Sequence, residues 1–195
     1  KPVTLAEISI YGTQKDLQTY YNIAKGKPAT STIATAEDAS LEYVTDENTE
    51  NLWKTGWSGS ESDMYPCTLS VDLEGIGSAE FIELYLEKAG LPYKFTVSVI
   101  LEDDSEEVVL DMSDNAEALT TRYFKIPVNK KIKKVNVNYL GRNGKGEFSA
   151  ASPALSELKV LSTKDEVTGG KVNLALNKTA YADTTQYGRN VQNMI

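Results

Sequence analysis

The sequence has 195 residues, with 20 basic and 28 acidic side chains and a formal net charge of −8. Its hydrophobic fraction of 41% and charged fraction of 25% are ordinary for a globular protein and exclude a mostly disordered, collagen-like or coiled-coil chain. An acidic chain repels phosphate backbones and anionic lipid heads, so we expect no nucleic-acid partner. No apolar run approaches the roughly 18 residues of a membrane-spanning helix, so we expect no membrane insertion.

The absence of histidine removes the commonest general base and the commonest zinc ligand together. Histidine-dependent triads and zinc hydrolases are therefore disfavoured. With Cys67 alone, no intrachain disulfide can form, and this residue is expected to be a small buried hydrophobe. Pairs of carboxylates occur by chance among so many acidic residues and carry little weight. The sequence predicts no enzyme active site.

Two internal matches share one period. Residues 22–29 (NIAKGKPA) recur at 173–180 (NLALNKTA), a displacement of 173 − 22 = 151, and residues 5–11 recur at 155–161, a displacement of 150. Displacements of two unrelated segments that agree to within one residue predict a tandem array. In chain order, we expect residues 1–14 to be the C-terminal strand of a preceding module. Residues 21–163 would be one complete module and 172–195 the N-terminal part of a following one, with polar spacers near 13–20 and 163–171.

Within residues 21–163 the apolar periodicity is two. Apolar residues alternate along 82–86, along 95–101 and along 135–139. This alternation predicts strands with one buried face. Turn-forming residues at 74–77, 103–105 and 141–144 separate these strands, and no helical stretch of convincing length appears. The prediction is an all-β sandwich of roughly 140 residues, large enough to bury its own core.

Five short motifs then identify a resemblance. They are NIAKGKPAT at 22–30, DENTENLW at 46–53, LSVDLE at 69–74, RYFKI at 122–126 and LSELKV at 155–160. Their content and order resemble the coagulation factor 5/8 type C, or discoidin-like, domains, and especially the bacterial carbohydrate-binding modules of that fold (family 32-like). The resemblance implies a discoidin-like jelly-roll β-sandwich, also described as galactose-binding-domain-like.

The resemblance also implies a structural calcium ion that ties the 46–53 loop to the last strand. The implied ligands are the side chains of Asp46 and Glu157, oxygens of Asn48 and Asn51, and backbone oxygens near Tyr43 and Ser156. Calcium prefers six to eight such oxygens. Glu47 stands where the family has Gly, so a positive φ at this position would strain it. The alternative is a solvated acidic loop that holds no metal.

Sugar recognition needs an aromatic face and a few polar groups on loops at one end of the sandwich. The candidate ligand-binding residues are Trp57, Glu87, Lys88, Tyr93, Arg142, Asn143 and Phe148, with Tyr65 as a further aromatic in a loop-like context. Trp57 could instead pack under the rim, and Arg142 could instead be a structural ion-pair partner. Galactose-binding relatives commonly use a histidine, which this chain lacks, so galactose specificity does not follow.

The sequence thus favours a non-catalytic carbohydrate-binding module of a secreted or cell-surface bacterial protein, accessory to a glycoside hydrolase. Its partners would be an oligo- or polysaccharide and neighbouring modules of the same chain. The alternative is a structural spacer or adhesion module that binds no sugar. Membrane binding, as in the blood-clotting relatives, would need hydrophobic spikes ringed by basic residues, and the charge of −8 argues against it.

Overall fold

The computed structural model describes residues 19–56, 63–142, 152–164 and 167–168. These residues form nine strands and a short 3₁₀ helix, Leu41–Val44, and they contain no helix long and apolar enough to cross a membrane. The prediction of an all-β chain is confirmed. The strands are β1 (Tyr21–Asn22), β2 (Ala29–Ser31), β3 (Trp53–Lys54), β4 (Cys67–Leu86), β5 (Tyr93–Leu101), β6 (Glu106–Asp111), β7 (Tyr123–Arg142), β8 (Ala154–Ser162) and β9 (Val167–Thr168).

The strands pair antiparallel in the order β1-β8-β4-β7-β5-β6, with β2 and β9 also on β4 and with β3 on β8. The predicted turn at 74–77 is wrong, because these residues lie inside β4. The β4–β7 register jumps there from Asp72 opposite Lys134 to Gly77 opposite Ile132. Such a bulge bends the strands, so β4 and β7 each contribute one half to each of the two layers of the sandwich. The first half of β4 pairs with β2, and the second half pairs with β8.

Contacts between the two layers close the sandwich. The Phe95 ring on β5 packs edge-on against Phe124 at the start of β7, with centroids 5.6 Å apart. The Tyr139 hydroxyl donates to the Ala154 carbonyl, 2.9 Å away on β8. The core between the layers includes fully buried residues from both halves of β4, namely Leu69, Val71, Leu73, Ile82, Leu84 and Leu86. A single-layer sheet could not remove these side chains from water, so the two faces cover each other.

Several loops meet at one end of the sandwich. β4 ends at Leu86 beside Leu155 near the start of β8, and β5 begins at Tyr93 opposite Arg142 at the end of β7. The bond between Tyr139 and Ala154 joins these two groups of strand ends. We call this end, defined by Leu86, Tyr93, Arg142 and Ala154, the loop end. The opposite end holds the β4 bulge and the β5–β6 turn.

The chain enters and leaves the sandwich side by side, away from the loop end. Tyr21 of β1 lies opposite Ser162 of β8. The predicted spacer at 163–171 is wrong at Val167 and Thr168, which form β9 on the β4 bulge. Val167 packs against the core there because its partner strand offers an open edge. The predicted flanking segments 1–14 and 172–195 lie outside the described residues, so the tandem array stays a prediction.

Candidate functional site

The acidic loop after the 3₁₀ helix is organised around Asp46. One Asp46 carboxylate oxygen accepts from the Asn48 backbone N–H at 2.8 Å, and the other accepts from the Asn51 side-chain amide. Ser40 caps the start of the helix, where its hydroxyl accepts from the Glu42 N–H, and the helix packs against β8. The loop is thereby held beside the strand that carries Glu157.

Glu157 is a buried carboxylate with no well-formed hydrogen bond among the described residues, although the nearby Glu47 backbone N–H lowers its pKa. It lies on β8 opposite Tyr85 with 0% of its surface exposed. Neither carboxylate oxygen has a hydrogen-bond partner among the described residues. Burial raises the pKa of Glu157 to about 8, Lys159 opposes that change, and the negative charge of Asp46 adds to it. An unpaired buried carboxylate beside a second carboxylate is costly unless a cation or a proton neutralises it.

This arrangement fits the calcium ion that the sequence resemblance implies. Among the described residues, no three acidic, histidine or cysteine side chains converge on a common point. Calcium does not require such a cluster, because it accepts backbone carbonyl and amide oxygens as ligands. Asp46, Asn48 and Asn51 share one loop, Ser156 adjoins Glu157 on β8, and Tyr43 lies in the adjacent helix. The unsatisfied Glu157 oxygens are the observation that carries the fit.

Residue 47, where the family has Gly, adopts a positive φ, a conformation that favours glycine. Glu47 has φ 65°, in the left-handed region that disfavours side chains. Its carboxylate forms an ion pair with the Lys25 ammonium at 2.5 Å. The hydrogen bond to Lys25 and the lysine's charge lower the pKa of Glu47. Lys25 lies in the turn between β1 and β2, so this pair ties that turn to the acidic loop.

Two of the predicted sugar-contacting residues lie together at the loop end. Glu87 and Lys88 directly follow β4 and form an ion pair at 3.7 Å, with side chains 28% and 58% exposed. The Arg122 guanidinium lies 3.5 Å from the Glu87 carbonyl, at the limit of a hydrogen bond. Both side chains are therefore placed where loops could present them to a ligand.

The prediction for Tyr93 is wrong. Its ring is 1% exposed and belongs to the hydrophobic core, so it offers no face for stacking on a sugar. The reason is its position in β5, on the same face as Phe95 and Val97, which point inward. Tyr65 is also partly buried against the core. By contrast, the prediction that Cys67 is buried is confirmed, and Trp53 at the start of β3 is buried as well.

The remaining candidates fall at or beyond the limits of the described chain. Trp57, Asn143 and Phe148 lie outside the described residues, and only the backbone of Arg142 is described. The chain immediately before Trp57 lies at the loop end, because the Thr55 N–H donates to the Pro153 carbonyl next to the start of β8. The roles of these four residues stay predictions.

One segment of the loop end was missed by sequence reasoning. Residues 112–122 fold over the β4–β5 loop, where the Leu119 N–H donates to the Leu91 carbonyl and the Gly90 N–H donates to the Leu119 carbonyl. The Asn115 side-chain amide donates to the Tyr93 carbonyl at 3.0 Å. The signal available in the sequence was the adjacent Asp114 and Asn115, residue types that favour turns.

Neither a family profile nor a curated protein matches the sequence, whereas solved structures do. The module CpGH89CBM32-4 of Clostridium perfringens shares 33% identity over 73% of this chain and 100% of its own, with a TM-score of 0.66. The same module in complex with GlcNAc-α-1,4-galactose matches at 32% identity over 77% of this chain and 100% of its own, also with a TM-score of 0.66. A third match is the family 32 module of NanJ, from the same organism, in complex with galactose. It shares 17% identity over 74% of this chain and 98% of its own, with a TM-score of 0.56. A match at this identity shows the fold alone.

Proposed function

The chain belongs to family 32 of carbohydrate-binding modules, and we propose that it binds a glycan through its loop end without catalysing a reaction. The observation that supports this site is that the ends of β4 and β7, the start of β8 and the segment 112–122 after β6 lie at one end of the sandwich. Glu87 and Lys88 supply charged and hydrogen-bonding groups there. Loops of this kind can vary in sequence without disturbing the core.

Trp57 is the proposed stacking platform. The burial of Tyr93 leaves Trp57 and Phe148 as the sequence-predicted aromatics for this role. A pyranose presents an apolar face of C–H groups that packs well on an indole ring. Arg142 and Asn143 are proposed to bond sugar hydroxyls, together with the Glu87–Lys88 pair.

Calcium is proposed as a structural ion. Asp46 and Glu157 would hold it with oxygens of Tyr43, Asn48, Asn51 and Ser156. When bound, the ion supplies positive charge that neutralises the buried carboxylate. These ligand residues lie in the acidic loop and on β8, so binding of a common ion would link the two segments. This link would fix the chain that precedes β3. A ligand that binds only the folded state stabilises it by mass action.

The proposed biological role is targeting. A shallow site on one module binds weakly, whereas tandem copies raise the residence time on a polymer through effective concentration. We propose that the module belongs to a secreted or cell-surface bacterial protein and serves a glycoside hydrolase. The positions of β1 and of the end of β8, where Tyr21 lies opposite Ser162 away from the loop end, support this role.

Affinity electrophoresis on a panel of polysaccharides, followed by titration with GlcNAc-α-1,4-galactose, tests the proposal. We expect at least one neutral glycan to retard the full chain and Trp57→Ala to abolish the retardation. Tyr21→Ala is the matched control, because Tyr21 is 41% exposed and lies away from the loop end. A folded chain that no glycan retards would favour the spacer alternative.

A further inference from the structure

Aromatic rings lie on the outer face of the layer that contains the second half of β4, the start of β7 and β8. Alternation along the second half of β4 buries Ile82 and Leu84 and turns Phe81, Glu83 and Tyr85 outward. Tyr123 and Lys125 of β7 lie opposite Tyr85 and Glu83, and Lys159 of β8 lies opposite Glu83 on the other side. We call this surface the aromatic face. It consists of Tyr20, Phe81, Glu83, Tyr85, Tyr123, Lys125 and Lys159.

The rings of the aromatic face form two pairs. Tyr20 packs edge-on against Phe81 with centroids 5.6 Å apart. Tyr85 lies 5.0 Å from Tyr123 in a tilted arrangement. Phe81 and Tyr85 are four residues apart on one strand, so the two pairs lie about 13 Å apart. This separation is bridged by an oligosaccharide rather than by a single sugar ring.

A lysine lies over each pair. The Lys125 ammonium is 4.4 Å from the Phe81 centroid and 5.6 Å from the Tyr20 centroid. The Lys159 ammonium is 5.8 Å from the Tyr85 centroid. These contacts hold the cations at the surface, although a ring quadrupole offsets a full charge only weakly.

Neither ammonium has a carboxylate within 4.0 Å among the described residues. Eight other described lysines do have such a carboxylate, whereas Lys94 and Lys164 also lack one among the described residues. The eight are Lys25, Lys27, Lys54, Lys88, Lys130, Lys131, Lys133 and Lys134. The nearest acidic neighbour in register, Glu83, accepts a hydrogen bond from the Tyr123 hydroxyl at 2.8 Å. The Lys125 ammonium on the aromatic face therefore has no close carboxylate among the described residues, and the Lys159 ammonium interacts with Glu157 and Glu47 only at longer range.

We infer that the aromatic face is a second carbohydrate site, which takes a carboxylate-bearing oligosaccharide such as a uronic acid polymer. The rings pack against the apolar faces of sugar residues, and the ammonium groups of Lys125 and Lys159 bind carboxylates. A carboxylate bonds an ammonium more strongly than a ring does, so the lysines turn from the rings to the ligand.

This site differs from the loop end in chemistry, and its Tyr20–Phe81 half lies away from the loop end, whereas Tyr85 adjoins Leu86. Phe81 lies opposite Leu161, towards the end at which the chain enters and leaves. The loop end is proposed to bind a neutral glycan, whereas the aromatic face requires an anion. The net charge of −8 repels polyanions overall, so retention of an acidic polymer points to a local site rather than to general attraction.

The test is affinity electrophoresis of the full chain in polygalacturonate and in its methyl-esterified form. We expect retardation by the acid at low salt, weaker retardation at high salt because of screening, and about tenfold weaker binding to the ester. Lys125→Gln should weaken binding to the acid about tenfold. Lys164→Gln is the matched control, since Lys164 is exposed and lies beyond β8.

The outcomes separate the two proposals. Loss of acid binding in Lys125→Gln, with normal neutral-glycan binding and an unchanged melting temperature, supports the second site. Absence of retardation by polygalacturonate, equal binding of acid and ester, or equal effects of Lys125→Gln and Lys164→Gln would overturn it. Trp57→Ala should still bind polygalacturonate. The test of the aromatic face therefore does not depend on whether the loop end binds a glycan.

Discussion

The buried carboxylate of Glu157 on β8 and the acidic-loop carboxylate of Asp46 repel each other, and this repulsion adds to burial in raising the pKa of Glu157. The fold thus brings two acidic groups together from positions far apart in the chain. Neither oxygen of Glu157 is satisfied by a donor among the described residues. A divalent cation would turn this unfavourable pair into a link between the acidic loop and β8.

Calcium should therefore stabilise the chain. We expect excess calcium to raise the melting temperature, with a gain in the free energy of unfolding of about 2.7 kcal/mol at a hundredfold excess over Kd. EGTA should reverse the gain. Thermal unfolding followed by circular dichroism measures both effects.

Glu157→Gln should abolish the response to calcium because the amide removes the charge that the ion neutralises. Glu102→Gln is the matched control, since Glu102 is solvent-exposed, pairs with Lys131 and lies far from the acidic loop. A melting temperature that is unmoved by calcium and EGTA in the unsubstituted chain would contradict the calcium proposal.

Stability without metal should fall as the pH rises. The folded state holds the Glu157 proton up to a pKa of about 8, against an ordinary value of 4.5. Between these values the unfolded chain releases the proton and the native chain keeps it, so the free energy of unfolding decreases by about 1 kcal/mol per pH unit. The stability contribution is fully present below pH 4.5 and lost above pH 8.

Urea unfolding in EGTA across this pH range measures the effect. Glu157→Gln should remove that part of the slope, because the amide does not titrate, and saturating calcium should remove it in the unsubstituted chain. A slope that is the same in the unsubstituted chain and in Glu157→Gln would show that another group causes the pH dependence.

Position 47 offers a separate test of backbone strain. Glu47→Gly and Glu47→Ala both lose the ion pair with Lys25, and they differ in their tolerance of φ 65°. We expect the glycine variant to be more stable than the alanine variant by about 1 kcal/mol, because alanine disfavours the left-handed region. Equal unfolding free energies would mean that the loop relaxes around residue 47.

The sequence predicted the strands well because alternation reports burial directly. Residues 95–101 fall inside β5, and residues 135–139 fall inside β7. The sequence around the bend in β4 predicts a turn between two strands. Its residues have turn-forming character, but only the pairing with β7, which resumes at Gly77, shows that the strand continues. Local residue types do not reveal a partner that lies about 60 residues away.

The candidate site was less accessible to sequence reasoning. The neighbours of Tyr93 in the sequence predict a loop, although Tyr93 shares its face with Phe95 and is buried. The alternation of residue types places Phe81 and Tyr85 on one side of a strand. It does not indicate that this side faces outward. The opposition of Asp46 and Glu157 needed the resemblance, because nothing local connects the two positions.

The tryptophans provide an optical test of the loop end. Trp53 is fully buried, and its indole N–H donates to the Thr35 hydroxyl at 3.1 Å. We expect a bound sugar to change the fluorescence of Trp57 and to leave that of Trp53 unaltered. Titration of Trp57→Phe with the same sugar should therefore show no change in emission. A change in emission as large in Trp57→Phe as in the unsubstituted chain would mean that the sugar does not bind at Trp57.

The most direct measurement of the central claim is a map of amide chemical shifts of the full chain during titration with the neutral glycan identified by electrophoresis. The account predicts that the perturbed amides cluster at the loop end, in 55–65, 87–92, 112–122 and 142–153. Perturbations centred instead on the β4 bulge and the β5–β6 turn, with the loop end unchanged, would contradict it.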